Sequence, residues 1–250
     1  MEIHLIEQAV DIPTPDGTSD GFLCYHEEGQ PHPGVLLFTD IGGIRPANLD
    51  LAKRLASEGY SVLVPNVFYR TSRTPLMPSL RSLPEEAMKK CMAELTQPLP
   101  AEAMERDASA YIDFLGSQNC VRKGMMGVVG YCFTGKMALY AAAARPDKIA
   151  AAASFHGGGL FSDTPASPHL VLPRIQARLY FGHAVSDRSM PEEAIAKLDR
   201  ALAAWGGKYE SETYKDAFHS WTAADSPVYN PAQAERAFQK LTELFQQTLT

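Results

Sequence analysis

The chain has 250 residues, 45% of them hydrophobic, enough for a substantial core, and a net charge of -6 with no basic cluster. That balance argues against a nucleic-acid partner or an anionic membrane surface. No apolar run approaches the ~20 residues that a membrane-spanning helix needs.

The N-terminal residues carry acids and no apolar stretch of signal-peptide length. Four cysteines, Cys24, Cys91, Cys120 and Cys132, form no CxxC pair. Free thiols in a reduced, cytoplasmic setting fit this pattern. No linker-like tract or repeat divides the chain, so one domain over residues 1–250 is expected.

Residues 3 to 27 alternate in polarity and are interrupted by Pro13, Pro15 and Gly17, which predicts a β-hairpin turning near Asp16-Gly17. Next come short, nearly continuous apolar runs at Val35–Phe38, Ser61–Val64, Met125–Gly130, Ile149–Phe155 and Ala177–Phe181. Such runs suit strands covered on both faces. Helical stripes separate them. Leu51, Ala52, Leu55 and Ala56 share a face that Gly59 ends, and Met104, Ala108, Tyr111, Ile112 and Leu115 form another. A helix opens at Pro191 and stops at Gly206-Gly207. Asn230-Pro231 reads as an N-cap and first-turn proline, with Ala234, Phe238, Leu241 and Phe245 facing inward. The proline-punctuated segment Arg70–Pro84 reads as a long loop beside the site. The alternation predicts an α/β fold, a doubly wound, mostly parallel sheet with an N-terminal hairpin.

Within "GVVGYCFTGKMALY" (Gly127–Tyr140) a strand-like run passes directly into a helical one. Gly130 and Gly135 flank Cys132 as a strained nucleophile elbow requires, and a helix N-terminus there favours a thiolate. A nucleophile needs a base, and the base an orienting acid, in the order nucleophile, acid, histidine. Asp187 and His219 follow in that order, each just past a predicted strand. Asp187 also fits a cap for the helix at Pro191, with Asp216 as the next acid. His219 also fits an ordinary loop histidine, as His26, His32 and His169 do, and His183 competes for either role.

These residues resemble the dienelactone hydrolase family, a cysteine-using branch of the α/β-hydrolases. The matching stretches are "GYCFTG" (Gly130–Gly135), "SDRSMP" (Ser186–Pro191), "FHSW" (Phe218–Trp221), Leu36–Arg70 and "SFHGGGL" (Ser154–Leu160). The resemblance runs from about residue 10 to the C-terminus. It implies the α/β-hydrolase fold, Cys132 as nucleophile, His219 as base and Asp187 as its orienter. It also implies an oxyanion hole from the backbone N–H groups of Ile41 and Phe133, in keeping with one donor after the nucleophile and one after the first parallel strand.

Three positions depart from the family's pattern. Thr134 stands where glycine is common, and a β-branched residue is expected to crowd the elbow. Asp40 stands in place of a glutamate that contacts the resting thiol; one methylene shorter, it either reaches Cys132 through water or is a plain cap or loop carboxylate. Ala223 replaces an arginine that grips a substrate carboxylate. Arg70, Arg73, Arg81, Lys89 and Lys90 are the candidate replacements. Tyr131, Phe68, Tyr69 and Trp221 are expected to line the pocket and to favour an apolar or neutral acyl group.

The expectation is a hydrolase that cleaves a small ester or lactone through an acyl-enzyme, with no metal or organic cofactor. There is no HExxH and no GxGxxG after a strand, and "GGG" (Gly157–Gly159) reads as a loop. The substrate is the only partner implied, and nothing demands more than a monomer. A carboxylesterase or thioesterase on the same scaffold, and a redox-sensing thiol protein, are the alternatives.

Overall fold

The computed structural model describes residues 4–76 and 83–249. Arg81, one of the candidate cations, lies outside the described residues.

Strands β1 (Leu5–Thr14) and β2 (Gly17–His26) form the expected hairpin, with Thr14 opposite Gly17 across the turn. β3 (Gly34–Phe38), β4 (Ser61–Pro65), β5 (Met126–Tyr131), β6 (Ile149–Phe155), β7 (Arg178–His183) and β8 (Tyr209–Thr213) complete an eight-stranded sheet of order β1-β2-β4-β3-β5-β6-β7-β8. The hairpin joins β4 antiparallel, and every pairing from β4 to β8 is parallel.

The apolar runs become central strands because both faces are covered. Val35 and Leu37 of β3 enter one core, and Leu36 and Phe38 the other. Tyr180 of β7 parts in the same way from Leu179 and Phe181. This is the period-two consequence of a pleated strand between two helical layers. Helices α1 (Pro46–Ser57) and α6 (Pro231–Thr248) cover one face, through Ala52, Leu55, Leu241 and Phe245. On the other face lie α3 (Ala101–Ser117), α4 (Gly135–Ala144) and α5 (Glu192–Trp205). The whole predicted stripe of α3, from Met104 to Leu115, is buried. Full burial of one such aliphatic or aromatic side chain is worth roughly 1.5–3 kcal/mol.

The helix ends follow the punctuation in the sequence. Asn230 accepts a hydrogen bond from Gln233 N, and Gly206 closes α5 in the left-handed region at φ 74°. One element has no counterpart in the apolar pattern. Helix α2 (Glu85–Thr96) follows the predicted loop and buries only Leu95.

The parallel order places the carboxyl ends of β3, β5, β6, β7 and β8 along one edge. In open α/β sheets that edge is where ligands bind.

Candidate active site

Cys132 follows β5 directly, at φ 58°, a left-handed conformation that costs a non-glycine residue of order 1–3 kcal/mol. Its neighbours make the bend feasible. A Cβ on Gly130 would lie 2.2 Å from the Thr134 carbonyl oxygen, and one on Gly135 would lie 2.4 Å from Ser154 Oγ. Thr134 does not crowd this elbow. Its buried hydroxyl accepts from Tyr131 N at 3.0 Å and has the carbonyls of Tyr131 and Phe38 at 3.0 and 3.2 Å. The β-branched residue is thus a hydrogen-bonded part of the bend. Among the described residues the other non-glycine positions with positive φ are His156, Ser186, Asp216 and Ser220, all on segments that follow β6, β7 or β8.

His219 follows β8 and bridges two groups. Its Nε2 lies 3.1 Å from Cys132 Sγ, and its Nδ1 lies 2.6 Å from Asp187 Oδ2. The other oxygen of Asp187 accepts from Ser189 N at 2.8 Å and from Ser189 Oγ at 2.7 Å. Asp187 is therefore not the cap of α5, whose N-cap is Pro191. Burial opposes charge on the imidazole, but the bonds to Asp187 and Cys132 outweigh it and push His219 up to about 10. Burial likewise opposes ionisation of Asp187, yet its bonds to His219 and Ser189 hold it below the usual carboxylate value. The arrangement can hold a protonated imidazole between a carboxylate and a sulfur at neutral pH.

The competing residues lie elsewhere. His183 is buried beside Ser211 Oγ at 3.2 Å, and burial pushes it down to about 4. Asp216 sits in a turn where its carbonyl accepts from Asn230 Nδ2. Ile41, on the loop after β3, lines the same cleft as Cys132, and Phe133 follows Cys132 directly in the chain.

Asp40 faces Arg45, and no hydrogen bond joins it to Cys132. Its two oxygens each receive a guanidinium N–H at 2.7 Å, and one also accepts from Gly42 N at 2.8 Å. Arg45 extends on to Asp225, on the loop that carries His219, through Nε at 2.5 Å. Burial opposes the charge of Arg45, but these bonds raise it above its ordinary value. Among the described residues Arg45 is the cation at this cleft, a residue outside the sequence candidates. Arg70 pairs with Asp107 and Asp16, Arg73 with Asp11, Lys89 with Glu85 and Glu86, and Lys90 with Glu94.

The four aromatics expected in the pocket take other places. Tyr69 donates to Asp107 and accepts from Thr14 OH near the hairpin. Phe68 is buried against Phe133. Tyr131 stacks on Phe155, and Trp221 is fully buried against Tyr214 and His156. The cleft at Cys132 and His219 is instead walled by Phe22, Ile41, Ile44, Leu49, Met88 and Met92.

His156 is a further neighbour to which the sequence assigned no role. Its ring centroid lies 5.1 Å from that of His219, and its Nε2 lies 2.8 Å from Thr222 Oγ1. Burial, followed by the charge of His219, holds it well below its ordinary value, so it stays neutral. Among the described residues no group of three His, Cys, Asp or Glu side chains comes together to hold a metal ion, and no helix is long and apolar enough to cross a membrane.

Residues 20–249 match the Dienelactone hydrolase family. The carboxymethylenebutenolidase of Rhodococcus opacus is 28% identical over 219 residues, 86% of this chain and 81% of the relative. The crystal structure of a dienelactone hydrolase-like promiscuous phosphotriesterase from metagenomic libraries superposes with a TM-score of 0.79 at 21% identity, over 98% of both chains. The dienelactone hydrolase of Anabaena variabilis gives 0.68 at 20% identity, again over 98% of both.

Proposed function

This chain belongs to the dienelactone hydrolase family and is a hydrolase, and we propose that it cleaves an ester or lactone through a Cys132–His219–Asp187 triad and a thioester acyl-enzyme. One observation carries the reading. A single imidazole touches the sulfur at 3.1 Å with one nitrogen and a carboxylate at 2.6 Å with the other.

His219 holds the proton opposite the attacking sulfur, because its bonds to Asp187 and Cys132 favour the imidazolium. The thiolate attacks the carbonyl carbon, forming the C–S bond as the carbonyl π electrons move onto oxygen. That oxyanion accepts from the backbone N–H groups of Phe133 and Ile41. The oxyanion collapses, the C–O bond of the alcohol breaks, and His219 Nε2–H protonates the departing alkoxide. The now neutral imidazole takes a proton from water, whose hydroxide adds to the thioester carbon. A second collapse expels the thiolate, releases the acid and restores the ion pair. Asp187 keeps Nδ1 protonated throughout and stabilises the charge on the ring. Asp40, both of whose oxygens are bound to Arg45, shapes the loop that carries Ile41.

Cys132→Ala tests this. Turnover of p-nitrophenyl acetate or a simple lactone should fall by several orders of magnitude with the melting temperature little changed. Wild-type turnover in a folded Cys132→Ala protein would overturn the proposal.

A further inference from the structure

The cleft that opens at Cys132 and His219 has a volume of about 850 Å³. Pockets of roughly 300–1,000 Å³ enclose ligands of drug size, well beyond a lactone of ten or so atoms. Its walls are mainly apolar. Phe22 comes from β2, Ile44 from the loop before α1, Leu49 from the start of α1, and Met88 and Met92, one turn apart, from α2. Methionines there offer a flexible, polarisable surface that adapts to chains of different shape.

The guanidinium in the wall is fully engaged. Arg45 gives Nε to Asp225, Nη1 to Asp40, Gly43 O and Asn48 Oδ1, and Nη2 to Asp40 and Asp225. Every N–H of the Arg45 guanidinium is thus engaged, and none is left for a substrate. A substrate carboxylate would have to displace a carboxylate already bound there, and displacing Asp40 would leave it buried without its cation. Among the described residues no other Lys or Arg side chain lines the cleft.

We infer that the scissile ester carries an extended, uncharged apolar substituent, of medium-chain or aryl size, seated against Met88 and Met92. This rests on the hydrolase reading above and adds the substrate class to it. It runs against a small lactone bearing a carboxylate, for which the cleft has too much apolar wall and, among the described residues, no cation besides the fully engaged Arg45. Each methylene that enters the cleft leaves water for an apolar surface, so chain length should appear as a gain in kcat/KM.

The test compares two series. One varies the acyl group, from p-nitrophenyl acetate to hexanoate, and the other varies the alcohol, from ethyl to hexyl acetate. One series should gain about tenfold or more in kcat/KM over its length. Mono-p-nitrophenyl adipate, with hexanoate's chain length and a terminal carboxylate, should be turned over at least about tenfold less well than the hexanoate. In Met88→Glu and Met92→Glu the long-to-short ratio should collapse towards one, a readout that any general loss of activity cancels from. Two flat series, an adipate preferred to the hexanoate, or a ratio unmoved in both variants would overturn the substrate class while leaving Cys132-dependent hydrolysis standing. Turnover that survives Cys132→Ala, or none on any of these esters, would overturn the hydrolase mechanism and the substrate class with it.

Discussion

Replacing Asp187 by asparagine changes one atom and isolates the role of its charge. Asp187 Oδ1 is bound by two donors of Ser189, so an amide at this position keeps its carbonyl oxygen there and turns its NH₂ towards His219 Nδ1. Two donors cannot face each other, so Nδ1 must give up its proton and the proton moves to Nε2. The imidazole is then held in the wrong tautomer and its cationic form loses a charge-assisted bond of 2.6 Å. The bond alone is worth about 1.5–3 kcal/mol, and the tautomer adds to it. A barrier raised by roughly 3–5 kcal/mol lowers turnover by about 10² to 10⁴. The same change should show in stability. His219 gains its partners on folding, so its folded-state value of about 10 lies above the unfolded one. Its contribution is complete below pH about 6.5 and is lost as the pH climbs through about 10. Melting temperature measured from pH 6 to 10.5 should therefore fall more steeply in the wild type than in Asp187→Asn. A loss of turnover under about tenfold, with parallel melting curves, would refute the reasoning and leave Asp187 a structural acid.

Iodoacetamide at pH 7 should label Cys132 before Cys24, which burial pushes up to about 12, and before Cys120, which burial also raises. His219→Ala should slow the labelling of Cys132 at least tenfold, and equal labelling of Cys132 and Cys120 would count against the ion pair. Arg45→Ala should cost about 2 kcal/mol, because it leaves Asp40 buried without its cation. By calorimetry that is a drop of roughly 4–8 °C, and Asp40→Asn in the same chain should restore part of it. No drop in Arg45→Ala would mean that the bridge is not formed in solution.

Sequence disclosed what repeats or strains locally. The two-sided apolar runs gave the parallel strands, and the glycines around Cys132 gave the elbow, because each signal lies within a few residues. Partners that meet only in three dimensions left no such trace. Arg45 finds Asp225 across 180 positions of chain, and His156 meets Thr222 across 66. Neither pairing has a local pattern. Tyr69 and Trp221 show the converse error. Aromatic residues close to the site in sequence were read as its lining, but Tyr69 bonds to Asp107 at the far side of the hairpin turn and Trp221 lies beneath His156. Helix α2 buries only Leu95, so it lacked the stripe that revealed α3, yet its methionines wall the cleft. Thr134 was misjudged because its methyl was weighed and its hydroxyl was not.

Intact-protein mass spectrometry after a millisecond quench with p-nitrophenyl hexanoate measures the covalent intermediate itself. The account predicts an added hexanoyl mass that peptide mapping assigns to Cys132. The adduct should accumulate when deacylation is slowed and be absent in Cys132→Ala. Turnover with no acyl mass on Cys132 at any quench time, or an adduct mapped to a serine, would contradict it.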